Sequence, residues 1–279
     1  MILIDGRKIQ KEILSEVQAG VSALGFQPVF SDILVGEDPA SAQYVRMKAR
    51  TAESAGVRFE HAVFPSTITT GELVQEIKRL NRVENMCGII VQLPLPPGLD
   101  SRAVLDSIDP GLDVDCLGSV ASEKFYGGTG KISFPTALAC MALLDSLKLD
   151  LSGLKVVVLG QGELVGRPVA ALLRRRGLEP ETLESSTPNK EEIIKQADVI
   201  ISAIGRGKFI TGDMLKDGVV LIDAGTSESG SGLAGDVDLE SVGDKAAFAS
   251  PVPGGVGPVT VAMLLRNVLE VARGRKSVE

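Results

Sequence analysis

The segment LKVVVLGQGELVGRP, residues 154–168, decides the fold. Val156–Leu159 is a short apolar run rich in β-branched residues, and Gly160, Gly162 and Gly166 follow it at once. This order predicts a buried parallel strand that turns directly into a helix. Glycine allows a tight turn and a close approach of main-chain N–H groups, and the helix N-terminus adds unpaired donors. The segment therefore predicts a site for the pyrophosphate of a dinucleotide. A glycine turn without a ligand is the alternative, which the flanking apolar runs disfavour.

The composition describes a chain with ample apolar material and a net negative charge. It has 279 residues, of which 44% are hydrophobic and 23% charged, and its formal net charge is −7. This length suits one large domain or two ordinary ones. The acidic balance disfavours nucleic acid as a partner. No apolar run has bilayer-spanning length and the N-terminus lacks a signal-peptide pattern, so we expect a cytoplasmic protein with no membrane association.

Cysteine and histidine are scarce. Cys87, Cys116 and Cys140 show no C-x-x-C spacing, so we expect neither a disulfide framework nor a metal site. The single histidine, His61, lies in a segment that predicts a strand, where a structural or exposed residue is more typical than a catalyst. The chain therefore offers almost no histidine to take a proton from an alcohol, as many dehydrogenases require.

Strand and helix patterns alternate in both halves of the chain. Helices are predicted at Ile9–Leu24, Ala40–Ala55, Gly71–Asn81, Ser101–Ile108 and Thr136–Leu147, and strands at Val29–Val35, Val57–Phe64, Cys87–Val91, Val156–Leu159, Glu181–Glu184, Val199–Ala203 and Val219–Ile222. The alternation predicts an α/β protein with an N-terminal α/β domain and a C-terminal Rossmann-like, doubly wound parallel sheet. A final helix returns to the first domain. We assign residues 1–130 and 260–279 to the first domain and 131–259 to the second.

Four stretches carry residues that are typical of binding sites. Gln92 ends an apolar strand before a proline-rich run, at the sheet edge where open α/β proteins bind ligands. Tyr44 and Lys48 share one helix face, although a surface pair is the simpler interpretation of that spacing. Residues 113–115, Asp-Val-Asp, offer two carboxylates without a third metal ligand, so hydrogen bonding is favoured. Residues 251–258, PVPGGVGP, are typical of a rigid, ligand-facing loop.

Several motifs along the chain occur together in one enzyme family. They are VGEDPASAQYVRMKAR, GIIVQLPLP, DVD, VVVLGQGELVGRPVAALL, QADVIISAIG, GDVD and PVPGGVGPVTVAMLL. With them the chain resembles the bifunctional methylenetetrahydrofolate dehydrogenase/methenyltetrahydrofolate cyclohydrolase family over nearly its whole length. The resemblance implies a homodimer that oxidises 5,10-methylenetetrahydrofolate with NAD or NADP and hydrolyses the product to 10-formyltetrahydrofolate. A dehydrogenase without the hydrolytic step and a catalytically silent folate- or nucleotide-binding protein are the alternatives.

The resemblance also implies roles for individual residues. Lys48 matches the catalytic lysine, Tyr44 and Gln92 support it, and Asp115 matches the aspartate that hydrogen-bonds the pterin. Loss of hydride from a methylene between two nitrogens leaves a delocalised cation and needs no base, whereas hydrolysis needs proton handling, which we assign to Lys48. The predicted folate contacts are Tyr44, Gln92, Leu93, Pro94, Asp115, Pro253, Gly254 and Gly255. No metal is implied.

The predicted cofactor contacts lie in the second half, at Gly160, Gln161, Gly162, Val165, Gly166, Glu184, Ser185 and Thr226. Glu184 closes the second strand, where an acidic group accepts hydrogen bonds from both ribose hydroxyls and repels a 2′-phosphate, so NAD is favoured over NADP. The alternative is that Glu184 points to solvent and Arg174–Arg176 contact a phosphate.

The chain departs from the family pattern at five positions on the folate side. Leu112 and Cys116 stand where the family usually has lysine and glycine. The usual P-C-T-P segment reads Phe134-Pro135-Thr136-Ala137 and keeps only the threonine. We expect these changes to affect folate binding and the hydrolytic step more than the fold.

Overall fold

The computed structural model describes residues 1–229 and 232–276. It divides into two compact units. The three-stranded unit comprises Glu12–Pro135 and Leu264–Glu279, and the six-stranded unit comprises Met1–Lys11 and Thr136–Met263. The α/β class with a final helix that returns to the first half is confirmed.

The elements follow in chain order. They are β1 Ile2–Leu3, α1 Gly6–Ser22, β2 Val29–Val35, α2 Pro39–Ser54, β3 Arg58–Phe64, α3 Thr70–Leu80, β4 Met86–Val91, α4 Ser101–Leu105, α5 Ser119–Tyr126, α6 Pro135–Ser146, β5 Val156–Leu159, α7 Gly166–Arg175, β6 Glu181–Leu183, α8 Lys190–Gln196, β7 Val199–Ser202, a 3₁₀ turn Gly212–Met214, β8 Val219–Asp223, β9 Ser227–Ser229, β10 Gly232–Ala234, β11 Ala246–Ala249 and α9 Val256–Lys276.

The three-stranded unit is built on a parallel sheet in the order β3-β2-β4. Every residue of the middle strand β2 is buried, as expected for a strand paired on both sides and covered on both faces. β3 has exposed as well as buried positions, as expected of an edge strand. Ile33, Leu73, Ile77 and Ile89 belong to the apolar core beneath this sheet.

The six-stranded unit contains a parallel sheet in the order β1-β11-β8-β7-β5-β6. The chain leaves β5 toward β6 on one side and later returns to β7 on the other, so the strand order reverses at β5 and β7. This reversal is the point at which open α/β sheets open a crevice for ligands, at the carboxyl ends of the strands. A separate antiparallel pair, β9 and β10, follows β8.

The structure differs from the sequence predictions mainly in short elements. The two-residue strand β1 pairs with β11, so residues 1–11 lie in the six-stranded unit and not with residues 12–130. The strands β9, β10 and β11 and the helix α5 were not predicted, because they span too few residues for a periodic pattern. The final helix begins at Val256, so the last three residues of the predicted loop 251–258 are helical.

Candidate active site

The helix α2 is fixed at both ends by local hydrogen bonds. The Asp38 carboxylate accepts a hydrogen bond from the Ser41 backbone N–H, which caps the N-terminus, and Pro39 occupies the first turn. Gly56 follows the helix with a φ of +84°, and its N–H donates to the Glu53 carbonyl. These hydrogen bonds fix where α2 begins and ends, and so fix the positions of Tyr44 and Lys48 on it.

Lys48 is buried, and its ammonium group has three neighbours. Its Nζ donates to Asp32 Oδ2 at 2.6 Å and to Gln92 Oε1 at 2.9 Å. The same nitrogen lies 4.8 Å from the centre of the Tyr44 ring, within the range of a cation–π contact. The side chains of α2, β2 and the segment after β4 therefore meet at one amine.

Gln92 lies at the carboxyl end of β4, as the sequence predicts. Its backbone N–H donates to the Ile33 carbonyl at 2.8 Å, which extends the pairing with β2 by one residue. The peptide bond between Leu93 and Pro94, directly after it, is cis, and the chain leaves the sheet there. Leu93 is half-buried and Pro94 is exposed.

The loop with two aspartates has one structural carboxylate and one that faces the amine. The Asp113 carboxylate accepts from the backbone N–H groups of Cys116 and Gly118, and this closes the loop. Asn267 of α9 holds the loop from behind, since its Nδ2 donates to the Val114 carbonyl at 2.8 Å. Asp115 is half-buried, and its charge interacts with that of Lys48.

Burial dominates the electrostatics of this cluster. It raises the pKa of Asp115 to about 7, although Lys48 acts against the shift. It raises the pKa of Asp32, again against the favourable charge of Lys48. Burial, with the negative charges of Asp115 and Asp32, raises the pKa of Tyr44 to about 12. Tyr44 therefore remains a neutral phenol at any physiological pH, while Asp115 changes charge near neutrality.

Three of the departures from the family pattern, at Leu112, Cys116 and Phe134, lie in packed positions. Leu112 is buried in the core of the three-stranded unit, and its carbonyl accepts from the Ile89 N–H. Phe134 is buried against Phe125 with the ring centres 4.9 Å apart. Cys116 is buried with a φ of +65°, a conformation that favours glycine. Of these three residues, only Cys116 has a backbone conformation that is unfavourable for a residue with a side chain.

The glycine turn after β5 has the tight geometry that the sequence predicts. Gly160 has a φ of +84°, and a Cβ there would lie 2.5 Å from the Ala203 carbonyl oxygen. A Cβ at Gly166 would lie 1.8 Å from the Gly160 carbonyl oxygen, so only glycine lets α7 start this close to the turn. A Cβ at Gly162 meets no atom within 4 Å, so the backbone there is open to a ligand.

The remaining predicted residues of the turn surround this opening. Gln161 is half-buried, and its Nε2 donates to the Gly160 carbonyl at 2.9 Å. Val165 occupies the N-cap position of α7 without a side-chain cap. In the first turn, Arg167 donates its N–H to the Gly162 carbonyl at 3.2 Å and Pro168 has no N–H, so Gly166 is the residue whose N–H can meet an anion. The open backbone at Gly162 and the start of α7 together fit a pyrophosphate.

A buried aspartate that the sequence analysis did not single out organises the neighbouring loop after β7. The Asp236 carboxylate accepts from the Ser202 hydroxyl at 2.6 Å and from the backbone N–H groups of Ile204 and Arg206 at 2.8 and 2.7 Å. The Asp223 carboxylate in turn accepts from the Asp236 N–H. Burial raises the pKa of Asp223 to about 7. These two carboxylates fix the loops after β7 and β8.

Glu184, Ser185 and Thr226 are exposed at the carboxyl ends of their strands. The Gly160 N–H donates to the Leu183 carbonyl at 2.8 Å, so Glu184 directly follows the residue that pairs with the glycine turn. Thr226 lies between β8 and β9. These residues thus follow β6 and β8, the strands that flank β5 and β7 in the sheet.

Pro253, Gly254 and Gly255 follow β11 in the six-stranded unit. The Val252–Pro253 peptide bond is cis, and Gly255 donates its N–H to the Pro251 carbonyl at 2.8 Å. This loop packs against the start of α1, where a Cβ on Gly6 would lie 2.0 Å from the Gly255 carbonyl oxygen.

The structure thus brings Lys48, Tyr44, Gln92 and Asp115 together in one unit and the predicted cofactor residues together in the other. Sequence reasoning missed Asp32. The signal was present in β2, VFSDILV, because a charged residue at the centre of a wholly buried, mostly apolar strand requires a buried partner of opposite charge.

Two family models match the chain. Residues 4–115 match the tetrahydrofolate dehydrogenase/cyclohydrolase catalytic domain, and residues 135–276 match the NAD(P)-binding domain of the same family. The chain belongs to the tetrahydrofolate dehydrogenase/cyclohydrolase family. In the part of the chain that the structure describes, no helix of this family member is long and apolar enough to cross a bilayer.

Curated relatives and solved structures of the family match along almost the full chain. The bifunctional protein FolD of Moorella thermoacetica is 42% identical over 276 residues, which covers 97% of this chain and 98% of that protein. The bifunctional enzyme FolD of Campylobacter jejuni superposes with a TM-score of 0.94 at 36% identity and 99% coverage of both chains. The Trypanosoma brucei FolD, solved in complex with NADP and an inhibitor, has a TM-score of 0.92 at 36% identity, with 99% and 98% coverage of the two chains.

Proposed function

We propose that this protein oxidises 5,10-methylenetetrahydrofolate to 5,10-methenyltetrahydrofolate with NAD(P) and hydrolyses that product to 10-formyltetrahydrofolate. The observation that carries the proposal is the buried amine of Lys48, held by Gln92 beside Tyr44 and Asp115, in a chain that matches bifunctional relatives over its full length. Because those relatives are bifunctional, two activities are favoured over the dehydrogenase alone.

The residues of the three-stranded unit suit both steps. Asp115 is the group we assign to the pterin, because a carboxylate accepts two parallel N–H donors in one plane. Gln92 and the ring of Tyr44 fix the Lys48 amine and so orient the folate beside it. The oxidative step removes no proton, so the absence of a histidine from this cluster has no cost. The hydrolytic step uses the amine of Lys48 as its base.

We assign cofactor binding to the six-stranded unit. The turn of Gly160, Gln161 and Gly162 and the N-terminus of α7 at Val165 and Gly166 would hold the pyrophosphate. Ser185 and Thr226 would contact the ribose and the remainder of the dinucleotide. The bound nicotinamide supplies the acceptor for the hydride.

Within this function we propose a preference for NAD over NADP. Glu184 is exposed immediately after the strand that pairs with the glycine turn, where its charge repels a 2′-phosphate. Arg174 and Arg175 lie in the last turn of α7, about 12 and about 14 Å along the helix from Gly166. Arg176 forms an ion pair with Asp145. The three arginines are therefore poorly placed to bind a 2′-phosphate beside Glu184. The cation nearer to that position is Lys190, which donates to the Ser185 carbonyl.

The remaining folate contacts and the domain roles are also proposals. We assign the folate to the three-stranded unit and the cofactor to the six-stranded unit. Leu93 and Pro94 would form an apolar wall beside Gln92, and Pro253, Gly254 and Gly255 would contribute a rigid loop.

We further propose a homodimer in the cytoplasm. Among the described residues β3 pairs only with β2, and Val63 on this edge strand is 60% exposed. An uncovered edge strand is a template for pairing with a second chain. The three free, buried cysteines fit a reducing compartment. Light scattering after size-exclusion chromatography should give twice the mass of one chain, and the mass of one chain would contradict the dimer.

A spectrophotometric assay tests the proposed activities. Purified protein given 5,10-methylenetetrahydrofolate should reduce NAD, and protein given 5,10-methenyltetrahydrofolate alone should consume it without any nucleotide. Reduction without hydrolysis would support the monofunctional alternative, and the absence of both reactions would leave only a binding protein.

A further inference from the structure

Asp32 is the one charged residue of the buried strand β2, in which Ser31 is the other polar residue. It lies on β2, between β3 and β4, and its side chain has no exposed area. Its Oδ1 atom is buried and has no hydrogen-bond partner among the described residues. A carboxylate in such a place is costly unless a nearby cation compensates for it.

The compensating cation is the proposed catalytic amine. Lys48 Nζ lies 2.6 Å from Asp32 Oδ2, and both side chains are buried. An ammonium group has three N–H donors. Asp32 and Gln92 take two of them, which leaves one N–H on Lys48 for the substrate or for a water molecule.

The other charged and titratable groups around this pair are few. Asp115 faces it from the aspartate loop, and Tyr44 faces it from the same helix as Lys48. Gln92, at the end of β4, is neutral. His61 lies level with Asp32 on β3 and is exposed. Asp32 is therefore the acidic group in direct contact with the amine.

We propose that Asp32 is a positioning residue that acts through Lys48. It fixes the direction of the amine, and its negative charge opposes the loss of the proton that Lys48 must release to act as the base of the hydrolytic step. This inference rests on the proposed function. A second role follows from charge: the ion pair is neutral overall, so a folate cation formed beside Lys48 is not repelled.

The proton transfers in the two steps explain why Asp32 should affect hydrolysis and not oxidation. The oxygen of water forms a bond to the methenyl carbon of the folate cation, and one of its protons passes to the free amine of Lys48. The bond from that carbon to N5 then breaks with its electron pair going to N5, which takes up a proton. The second proton of the former water leaves as the carbonyl forms, so one proton is released overall. The oxidative step transfers no proton and should not depend on this pair in the same way.

The experiment compares pH profiles of Asp32→Asn and the wild type, with kcat measured for both activities at saturating folate. The variant keeps the shape and the hydrogen bond but removes the negative charge, so it makes the ammonium easier to deprotonate. We expect the midpoint of the rising limb of hydrolysis to move down by at least about one pH unit. The shape of the oxidation profile should not change. An unchanged hydrolysis midpoint overturns the inference.

Two further variants and one spectroscopic measurement serve as controls for this experiment. Asp32→Glu keeps the charge and should keep the midpoint, even where the rate falls. Ser31→Ala removes a neighbouring buried polar group on β2, whose hydroxyl donates to the Glu60 carbonyl, and should leave the midpoint in place. An equal shift in Ser31→Ala would assign the effect to general disturbance of the sheet and overturn the proposal.

If Asp32→Asn does not fold, NMR spectroscopy of the wild type tests whether Asp32 and Lys48 are coupled. The ¹⁵N signal of Lys48 Nζ and the ¹³C signal of the Asp32 carboxyl should respond to pH with shared midpoints, and independent titrations overturn the coupling. This measurement needs no turnover. Failure of the proposed function, seen as no activity in the wild type, is thus distinct from failure of the coupling.

Discussion

Lys48 and Asp32 form a buried ion pair, with 2.6 Å between Nζ and Oδ2, in the unit that also carries Gln92 and Asp115. Sixteen positions separate the two residues, and they belong to a helix and to the central strand of a sheet. The amine is therefore held by the fold as a whole, and this makes its role testable by single substitutions.

Replacing Lys48 by methionine should remove the hydrolytic activity. The thioether fills the space of the lysine stem but cannot accept a proton, so we expect at least a ~100-fold loss in the hydrolysis of 5,10-methenyltetrahydrofolate. NAD affinity, measured by calorimetry, should remain near that of the wild type. Arg50→Met, at an exposed position of the same helix, is the matched control. Hydrolysis at the wild-type rate in Lys48→Met would remove the amine from the mechanism.

Asp115 should produce a pH dependence near neutrality. Its pKa is raised to about 7 by burial, and the ionised form is the better acceptor for the N–H groups of a pterin. We expect kcat/KM for the folate to rise with pH through about 7. Asp115→Asn should abolish that rise and lower the plateau, while Asp109→Asn, at an exposed position of the preceding segment, should not. A rise that persists in Asp115→Asn would assign it to another group.

Glu184 should control the choice of cofactor. Glu184→Gln removes the repulsion of a 2′-phosphate, and Glu184→Arg replaces it with attraction, so the ratio of kcat/KM for NAD to that for NADP should fall in this order. Each step should change the ratio by about tenfold. Glu181→Gln, which changes an exposed acid at the start of β6, the strand that precedes Glu184, is the control. A wild type that uses both cofactors equally would contradict the proposed preference.

Cys116 should carry measurable backbone strain. At a φ of +65°, a residue with a Cβ has a conformational free energy about 1–2 kcal/mol higher than glycine has. Because Cys116→Gly and Cys116→Ala both lose the buried thiol, their difference isolates the backbone. We expect the glycine variant to exceed the alanine variant in free energy of unfolding by about 1 kcal/mol. Equal unfolding midpoints in urea would show that the loop relaxes elsewhere.

Asp236 should couple stability to cofactor binding. Its carboxylate accepts three hydrogen bonds at the loop after β7, so Asp236→Asn places an amide N–H against at least one donor. We expect a loss of about 3 kcal/mol in the free energy of unfolding and a higher KM for the nucleotide. Asp238→Asn, whose partner Lys208 is 4.0 Å away at the surface, should change both values little. An unchanged KM in a destabilised Asp236→Asn would limit the residue to a structural role.

The sequence by itself determined the α/β class, the glycine turn and most long elements. Val29–Val35 and Val156–Leu159 were predicted with the bounds that the structure shows. Apolar runs of this length between turn residues have few alternatives to a buried strand. The motifs that carry the family resemblance are likewise local, because each is a contiguous string of residues.

Only the tertiary structure decided which polar groups meet. The pairing of Asp32 with Lys48, the pinning of the loop after β7 by Asp236 and the pairing of Ile2–Leu3 with β11 join residues that are distant in sequence. Periodicity reports which face of an element is buried, but not which buried charge lies opposite another. That choice is made when the elements pack, because an isolated charge is expelled from the core and a matched pair is retained.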